Sequence, residues 1–167
     1  MVEVTLTIVL QFVQTAGILV GIAYYITTLR LAQKAREAQV FLQFSNRMAD
    51  NRFLEGLRNL PEIDSSTLVD FILQEVTKDS PIRDQWINIW YIIRSLEDLG
   101  GIVRGGFLSI TVIAYTISGL IKMTWEKLAP HIDELREKSN NIRFGSEIEY
   151  LYDELMKYHE EHPELKT

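Results

Sequence analysis

The sequence contains no cysteine and only four prolines in 167 residues. Without cysteine the chain has no disulfide, no thiolate metal site and no cysteine nucleophile. It also lacks an excess of basic charge, because 17 Lys and Arg stand against 23 Asp and Glu for a net charge of -6. Broad nucleic-acid binding requires a basic face that displaces counterions. That class of function is therefore disfavoured.

Motifs for catalysis and cofactor binding are also missing. The glycine doublets at 100–101 and 105–106 lack the Gly-Lys-Ser/Thr ending of a phosphate loop. His159 and His162 lie among acids, but the pattern fixes no third metal ligand. Without a nucleophile, base and electrophile in one constellation, we expect a protein that is not an enzyme and that holds no cofactor and no metal.

One long segment, Val4 to Leu29, carries no charge at all. Of its 26 residues, 17 are apolar, seven are Thr or Gln and two are Gly. As a helix it would be about 39 Å long, enough to cross a hydrocarbon core of about 30 Å with some tilt. We predict a transmembrane anchor over residues 1–29. A cleaved signal peptide is the alternative, but it would have a basic start and a shorter apolar core.

The charges that flank this segment predict its orientation. Arg30, Lys34 and Arg36 follow the apolar core, whereas no Lys or Arg precedes it. The positive-inside rule then predicts a single-pass protein of the cell membrane, with its N-terminus outside and its C-terminal domain in the cytoplasm.

Small and polar residues of the anchor recur in steps of three and four, which places them on one side of a helix. These residues are Thr7, Gln11, Gln14, Gly17, Gly21, Tyr24 and Thr28. A Gly-x-x-x-Gly pair lets a second backbone approach closely. The pattern predicts a helix–helix interface with another copy of the chain or with another membrane subunit. The alternative is that these residues are tolerated in the membrane without a partner.

The same spacing continues beyond the membrane through Leu31, Ala35, Ala38, Leu42, Ser45 and Ala49, a coiled-coil period of 3.5. No helix breaker occurs between Val4 and Asn46, so residues 30–50 are predicted to form a juxtamembrane helix continuous with the anchor. A second apolar face is expected to pack on the protein's own domain, through Val40, Phe41, Phe44 and Met48.

The remaining chain predicts a helical bundle over residues 51–158 and a frayed acidic tail over 159–167, which makes the whole protein all-α. Caps and breakers divide the bundle into a helix from Asn51 to Leu60, one capped by Ser65 or Ser66, and a core helix from Ser80-Pro81 to Gly100-Gly101. A further helix runs from near Ser109 to Pro130, and residues 132–138 either extend it or form a new short helix. The last helix is capped by Ser146.

Two features of the bundle allow more than one interpretation. The uncharged segment 105–121 reaches the lower length limit for a membrane span, but its Gly, Ser and Thr content favours a buried helix. Arg104, between the two glycine doublets, is a candidate for an anion site between helix ends or for an ion pair with Glu97 or Asp98. We favour the pair.

Several stretches resemble a widespread family of small membrane-anchored helical proteins that is catalogued only as a domain of unknown function. They are TLRLAQKAREAQVFLQF, RSLEDLGGIVRGGFL, WEKLAPHIDELRE and FGSEIEYLYDEL, at residues 28–44, 94–108, 125–137 and 144–155. The resemblance implies an anchored helical architecture and brings no catalytic residue. It implies helix ends and helix contacts at Glu97, Gly100 or Gly101, Gly105 or Gly106, Trp125, Arg136 and Phe144. Arg94 departs from the family, which often has an apolar or aromatic residue there.

The functional expectation is a non-catalytic interaction protein, an accessory or structural subunit of a membrane complex, with the lipid bilayer and other membrane subunits as partners and no nucleic acid. A self-assembling channel or membrane-perturbing effector is the first alternative. An enzyme or anion-ligand sensor that uses a pocket near Arg104 is the second.

Overall fold

A computed structural model describes residues 2–60 and 83–165, with side chains from Thr5 onward. The described chain is all-helical and contains no strand. Its elements are α1 (Val2–Met48), α2 (Asn51–Asn59), α3 (Arg83–Arg104), α4 (Ile110–Thr116), α5 (Ser118–Lys138), α6 (Ser146–Glu161) and a 3-10 helix (Pro163–Leu165). The predicted helix after Ser65 or Ser66 and the predicted cap at Ser80-Pro81 lie outside the described residues. The chain divides into two units, residues 1–39 and 40–167.

The first unit is the N-terminal part of α1. The helix has no break between Val2 and Met48, as the absence of helix breakers predicts. Every side chain described from Thr5 to Arg36 is exposed. Among the described residues, α1 is the one helix long and apolar enough to cross a membrane by its length and composition.

The second unit is built around α3, which confirms the predicted core helix. Nine of its 22 residues are buried, and Ile89, Ile92 and Leu96 are fully inaccessible to solvent. Burial of one such side chain stabilises the fold by about 1.5–3 kcal/mol. Phe44 near the end of α1 joins this core, and Val40, Phe41 and Met48 pack against it. The prediction that this second face of the helix packs on the protein's own domain is therefore confirmed.

Glycine sets the closest approach of α3 to its neighbours. A Cβ added to Gly56 of α2 would overlap the carbonyl of Asn88 in α3, and one added to Gly100 would overlap the carbonyl of Glu147 in α6. The prediction that Gly100-Gly101 ends the core helix is wrong, because Gly100 is there for helix packing. The helix continues to Arg104 and is followed by Gly106, whose φ is 73°, a left-handed conformation that favours glycine.

The uncharged segment 105–121 belongs to the core of the second unit. It contains α4, a break at Ile117 with φ of -135°, and the start of α5. Ile113, Ala114 and Ile121 are buried, so the segment packs as the favoured interpretation of a buried helix expects. The prediction of one unbroken helix from Ser109 is wrong, since the chain breaks at Ile117. The alternative that the helix extends beyond Pro130 is confirmed, because α5 runs through Pro130 to Lys138. Buried Ile132 and Leu135 beyond the proline offset part of its cost in a helix.

The C-terminal end is more ordered than its composition predicts. Ser146 is the first residue of α6 and does not cap it, because the capping position is Gly145 with φ of 72°. The helix continues to Glu161, and His159 is 9% exposed. The His162 ring stacks on Tyr158 with 4.0 Å between ring centroids. The prediction of a frayed tail from His159 is therefore wrong over residues 159–165, because one face of that helix contacts the core.

Candidate functional site

A concave surface of the second unit lies where α3 meets the start of α6. A cavity of about 370 Å³ opens between Trp90, Arg94 and Glu97 on α3 and residues 141–147. An adjoining cavity of about 490 Å³ extends toward Phe107 and shares Arg94, Glu97 and Glu147 with the first. We call the two together the α3–α6 groove.

Glu97 supplies the cap that α6 lacks locally. Gly145 at the capping position has no side chain, and the amide of Ile148, the third residue of α6, donates to Glu97 Oε1 at 3.5 Å. A carboxylate at this position also interacts favourably with the helix dipole. Burial nevertheless raises the pKa of the Glu97 carboxyl above its usual value, while the backbone amides of Ile148 and Glu147 act in the opposite direction. The carboxyl therefore holds its proton more tightly than a free Glu does.

The side chain of Arg104 joins α3 to α6 by hydrogen bonds. Its Nε donates to Glu147 Oε2 at 2.7 Å, and its Nη2 contacts the carbonyl of Ser146 at 3.4 Å. The guanidinium also lies over the Tyr150 ring, 4.1 Å from the centroid. The predicted pair with Glu97 or Asp98 is wrong, because α6 brings Glu147, 43 positions away in sequence, to the end of α3. The charge of Arg104 is thus paired with that of Glu147.

Two other arginines of the groove are less engaged. Arg94 has a side chain 68% exposed and approaches Asp98 only to 3.9 Å. The other carboxylate oxygen of Asp98 accepts a hydrogen bond from Arg47 at 2.9 Å. The side chain of Arg143 forms no ion pair within the described part of the chain. Its hydrogen bonds are made by the backbone, whose amide donates to Asn141 Oδ1 and whose carbonyl accepts from the Ser146 amide. The groove thus presents two guanidinium groups to solvent.

An aromatic pair forms the other wall of the groove. The rings of Trp90 and Phe144 stack with 5.8 Å between centroids and 19° between planes. Arg136 holds this wall in place, because its Nε donates to the Phe144 carbonyl at 2.8 Å and its Nη2 to Glu149 Oε2 at 2.6 Å. The side chain of Arg136 is only 21% exposed. Sequence reasoning missed the groove because its residues come from segments about 50 positions apart. Arg94 alone gave a signal, as a departure from the resembling family.

The predicted membrane interface residues all lie on α1 and are exposed. They are Thr7, Gln11, Gln14, Gly17, Gly21 and Thr28, followed on the same helix by Arg30, Lys34 and Arg36. A Cβ added to Gly17 or Gly21 would meet nothing within 4 Å. The hydroxyl of Thr28 donates to the carbonyl of Tyr24, and Thr15 and Thr27 make equivalent bonds four residues back along the helix.

The structure does not bring His159 and His162 together as metal ligands. The imidazole Nε2 of His159 is buried without a hydrogen-bond partner, whereas His162 stacks on Tyr158 and bonds its carbonyl at 3.0 Å. Residues 2–60 and 83–165 hold no group of three or more His, Asp or Glu that would bind a metal.

Over residues 2–60 and 83–165 the architecture is all-helical, with one helix able by length and composition to cross a membrane. The chain belongs to the family described as Domain of unknown function (DUF4760), whose model matches residues 11–155. This agrees with the resemblance to a family of unknown function. No curated protein and no solved structure matches the chain significantly.

Proposed function

We propose that this protein is a membrane-anchored, non-catalytic interaction protein that serves as an accessory subunit of a membrane complex. The observation that carries the proposal is the exposed N-terminal part of α1. No charge occurs between Val4 and Leu29, and the most apolar 18-residue stretch of the helix has no part buried within the protein. Exposed apolar surface on this scale is unfavourable in water and is accommodated by a bilayer.

The polar groups of this helix argue for a lateral partner. The Thr hydroxyls bond to the helix's own carbonyls, which removes most of the cost of placing them in lipid. The side-chain amides of Gln11 and Gln14 have no hydrogen-bond partner among the described residues. In hydrocarbon such amides gain from a bond to a neighbouring helix. Gly17 and Gly21 lie on the same side and leave room for the backbone of that helix.

The orientation follows from the basic residues after the apolar core. Arg30, Lys34 and Arg36 are exposed on α1, and no Lys or Arg precedes Val4. We infer an N-terminus outside and a helical unit in the cytoplasm. The absence of cysteine allows a clean test in intact cells, because Val2→Cys and Ile142→Cys each create a single thiol. A membrane-impermeant maleimide added outside whole cells is expected to label the first and not the second. The reverse pattern, or extraction of the protein by alkaline carbonate, would refute the anchored topology.

Lateral association is tested by Gly17→Leu combined with Gly21→Leu. The matched control is Ala16→Leu with Ala23→Leu, which adds bulk on the opposite side of the same helix. We expect the first variant alone to lose stoichiometric partners when tagged protein is purified from its native membrane in mild detergent and measured by native mass spectrometry. A wild-type protein that emerges as a pure monomer would rule out the accessory-subunit role.

A further inference from the structure

The α3–α6 groove carries a positive surplus on an otherwise acidic protein. Its ionisable residues and their direct partners comprise four arginines and three acids, namely Arg47, Arg94, Arg104, Arg143, Glu97, Asp98 and Glu147. Two close ion pairs, Arg47–Asp98 and Arg104–Glu147, neutralise four of these groups. The remaining cations are Arg94 and Arg143, and the remaining acid is the half-buried Glu97.

The geometry around these two arginines is that of a ligand site. Both line the 370 Å³ cavity from different elements, since Arg94 belongs to α3 and Arg143 to the loop before α6. This volume is within the range of small-molecule pockets, which are typically about 300–1,000 Å³. The Trp90–Phe144 pair adds an apolar wall. Guanidinium groups and an aromatic surface in one cavity suit an anion that also has an apolar body.

We propose that the α3–α6 groove binds a phosphate-bearing ligand, with Arg94 and Arg143 contacting the phosphate and the Trp90–Phe144 wall contacting the apolar part. A tetrahedral phosphate presents oxygens in several directions and accepts hydrogen bonds from two guanidinium groups on different elements. A planar carboxylate is matched by a single guanidinium fork. The backbone amides at the start of α6 take no part, because Glu97 and the turn itself already occupy them.

The test uses the full chain reconstituted in nanodiscs of zwitterionic lipid, with phenyl phosphate and inorganic phosphate as soluble probes. Binding is measured by calorimetry and by the change in intrinsic tryptophan fluorescence, against sodium chloride of equal ionic strength. We expect saturable binding, tighter for phenyl phosphate, and a loss of affinity of about tenfold or more in Arg94→Gln combined with Arg143→Gln. A parallel arm replaces the soluble probes with nanodiscs that contain phosphatidic acid, which presents the same phosphate monoester as a headgroup.

The matched control is Arg58→Gln with Lys127→Gln, which removes the same charge at exposed positions that do not line the groove. Arg143→Glu alone, a single exposed loop substitution, checks that the loss is not a folding defect. If the soluble probes bind and only the groove variants lower their affinity, the ligand is a free phosphate compound. Binding to phosphatidic acid but not to the soluble probes, weakened only in the groove variants, supports a lipid headgroup as the ligand. No saturable binding in either arm, or equal loss in the control variant, overturns the proposal.

Discussion

Gly100 of α3 lies directly against the backbone carbonyl of Glu147 in α6. This contact brings the two helices close enough for Glu97 and Arg104, one turn before and one turn after Gly100, to reach the first turn of α6. The groove, its cap and its ion pair therefore depend on one position where no side chain fits.

The first prediction concerns this contact. Gly100→Ala places a Cβ in the Glu147 carbonyl and is expected to lower the free energy of unfolding by about 1–3 kcal/mol, the usual cost of overpacking a core. The matched control is Gly101→Ala, because a Cβ there meets nothing within 4 Å. In that variant the better helix propensity of alanine is expected to stabilise the fold by up to about 1 kcal/mol. Chemical denaturation measures the free energy of unfolding of both variants. An equal change in the two would contradict the contact between Gly100 and Glu147.

The second prediction is a pH dependence at Glu97. Burial raises the folded-state pKa of the Glu97 carboxyl above its ordinary value of 4.5, so the folded state binds the proton more tightly than the unfolded state. The stability that this group contributes is then complete below about pH 4.5 and is lost as the pH rises through the folded-state pKa. Glu97→Gln keeps an acceptor for the Ile148 amide and removes the titration.

We therefore expect the stability of Glu97→Gln, relative to wild type, to increase between about pH 4.5 and pH 7. Glu97→Leu is the comparison, because it removes the acceptor as well and should lose about 1 kcal/mol from the uncapped helix. Urea denaturation across this pH range measures both. A relative stability of Glu97→Gln that does not change with pH would contradict the raised pKa.

The third prediction concerns Arg136, which joins α5 to the loop and to α6. Arg136→Leu leaves the carbonyl of Phe144 and the carboxylate of Glu149 without their donor. We expect a loss of about 1.5–3 kcal/mol, as for other hydrogen bonds to charged groups. Arg58→Leu breaks only an exposed pair with Glu55 and should change stability by less than about 1 kcal/mol. Thermal unfolding of the two variants under one buffer condition makes the comparison.

The fourth prediction separates insertion from association in α1. Gln11→Leu combined with Gln14→Leu makes the anchor more apolar, so membrane insertion should be retained. The loss of two amides is expected to weaken lateral association by about 1 kcal/mol for each interhelical hydrogen bond. Carbonate extraction reports on insertion, and crosslinking in native membranes reports on association. Unchanged crosslinking would show that these amides do not contact a partner helix.

Local patterns in the sequence predict most of the helices and much of the core. The apolar stripe of α3, the second face of α1 and the start of a helix at Ser109 need only a few neighbouring residues to be recognised. Predictions failed where the decisive contact is distant in sequence. In the sequence Gly100 looks like the end of a helix, whereas in the structure it is a contact with α6. Arg104 likewise looks like a partner of Glu97, whereas its partner is Glu147 of α6. The groove was missed for the same reason, since its two walls come from different parts of the chain.

The continuation of α6 to Glu161 has a practical consequence for expression and truncation experiments. The family match ends at residue 155, whereas buried His159 and the half-buried Tyr158 follow on the same helix. A fragment cut at the boundary of the family would remove the last turns of α6 together with Met156, Tyr158 and Leu165, which pack against the core. The region that the family shares thus ends before the folded unit does. A fragment intended to fold should extend at least to Leu165.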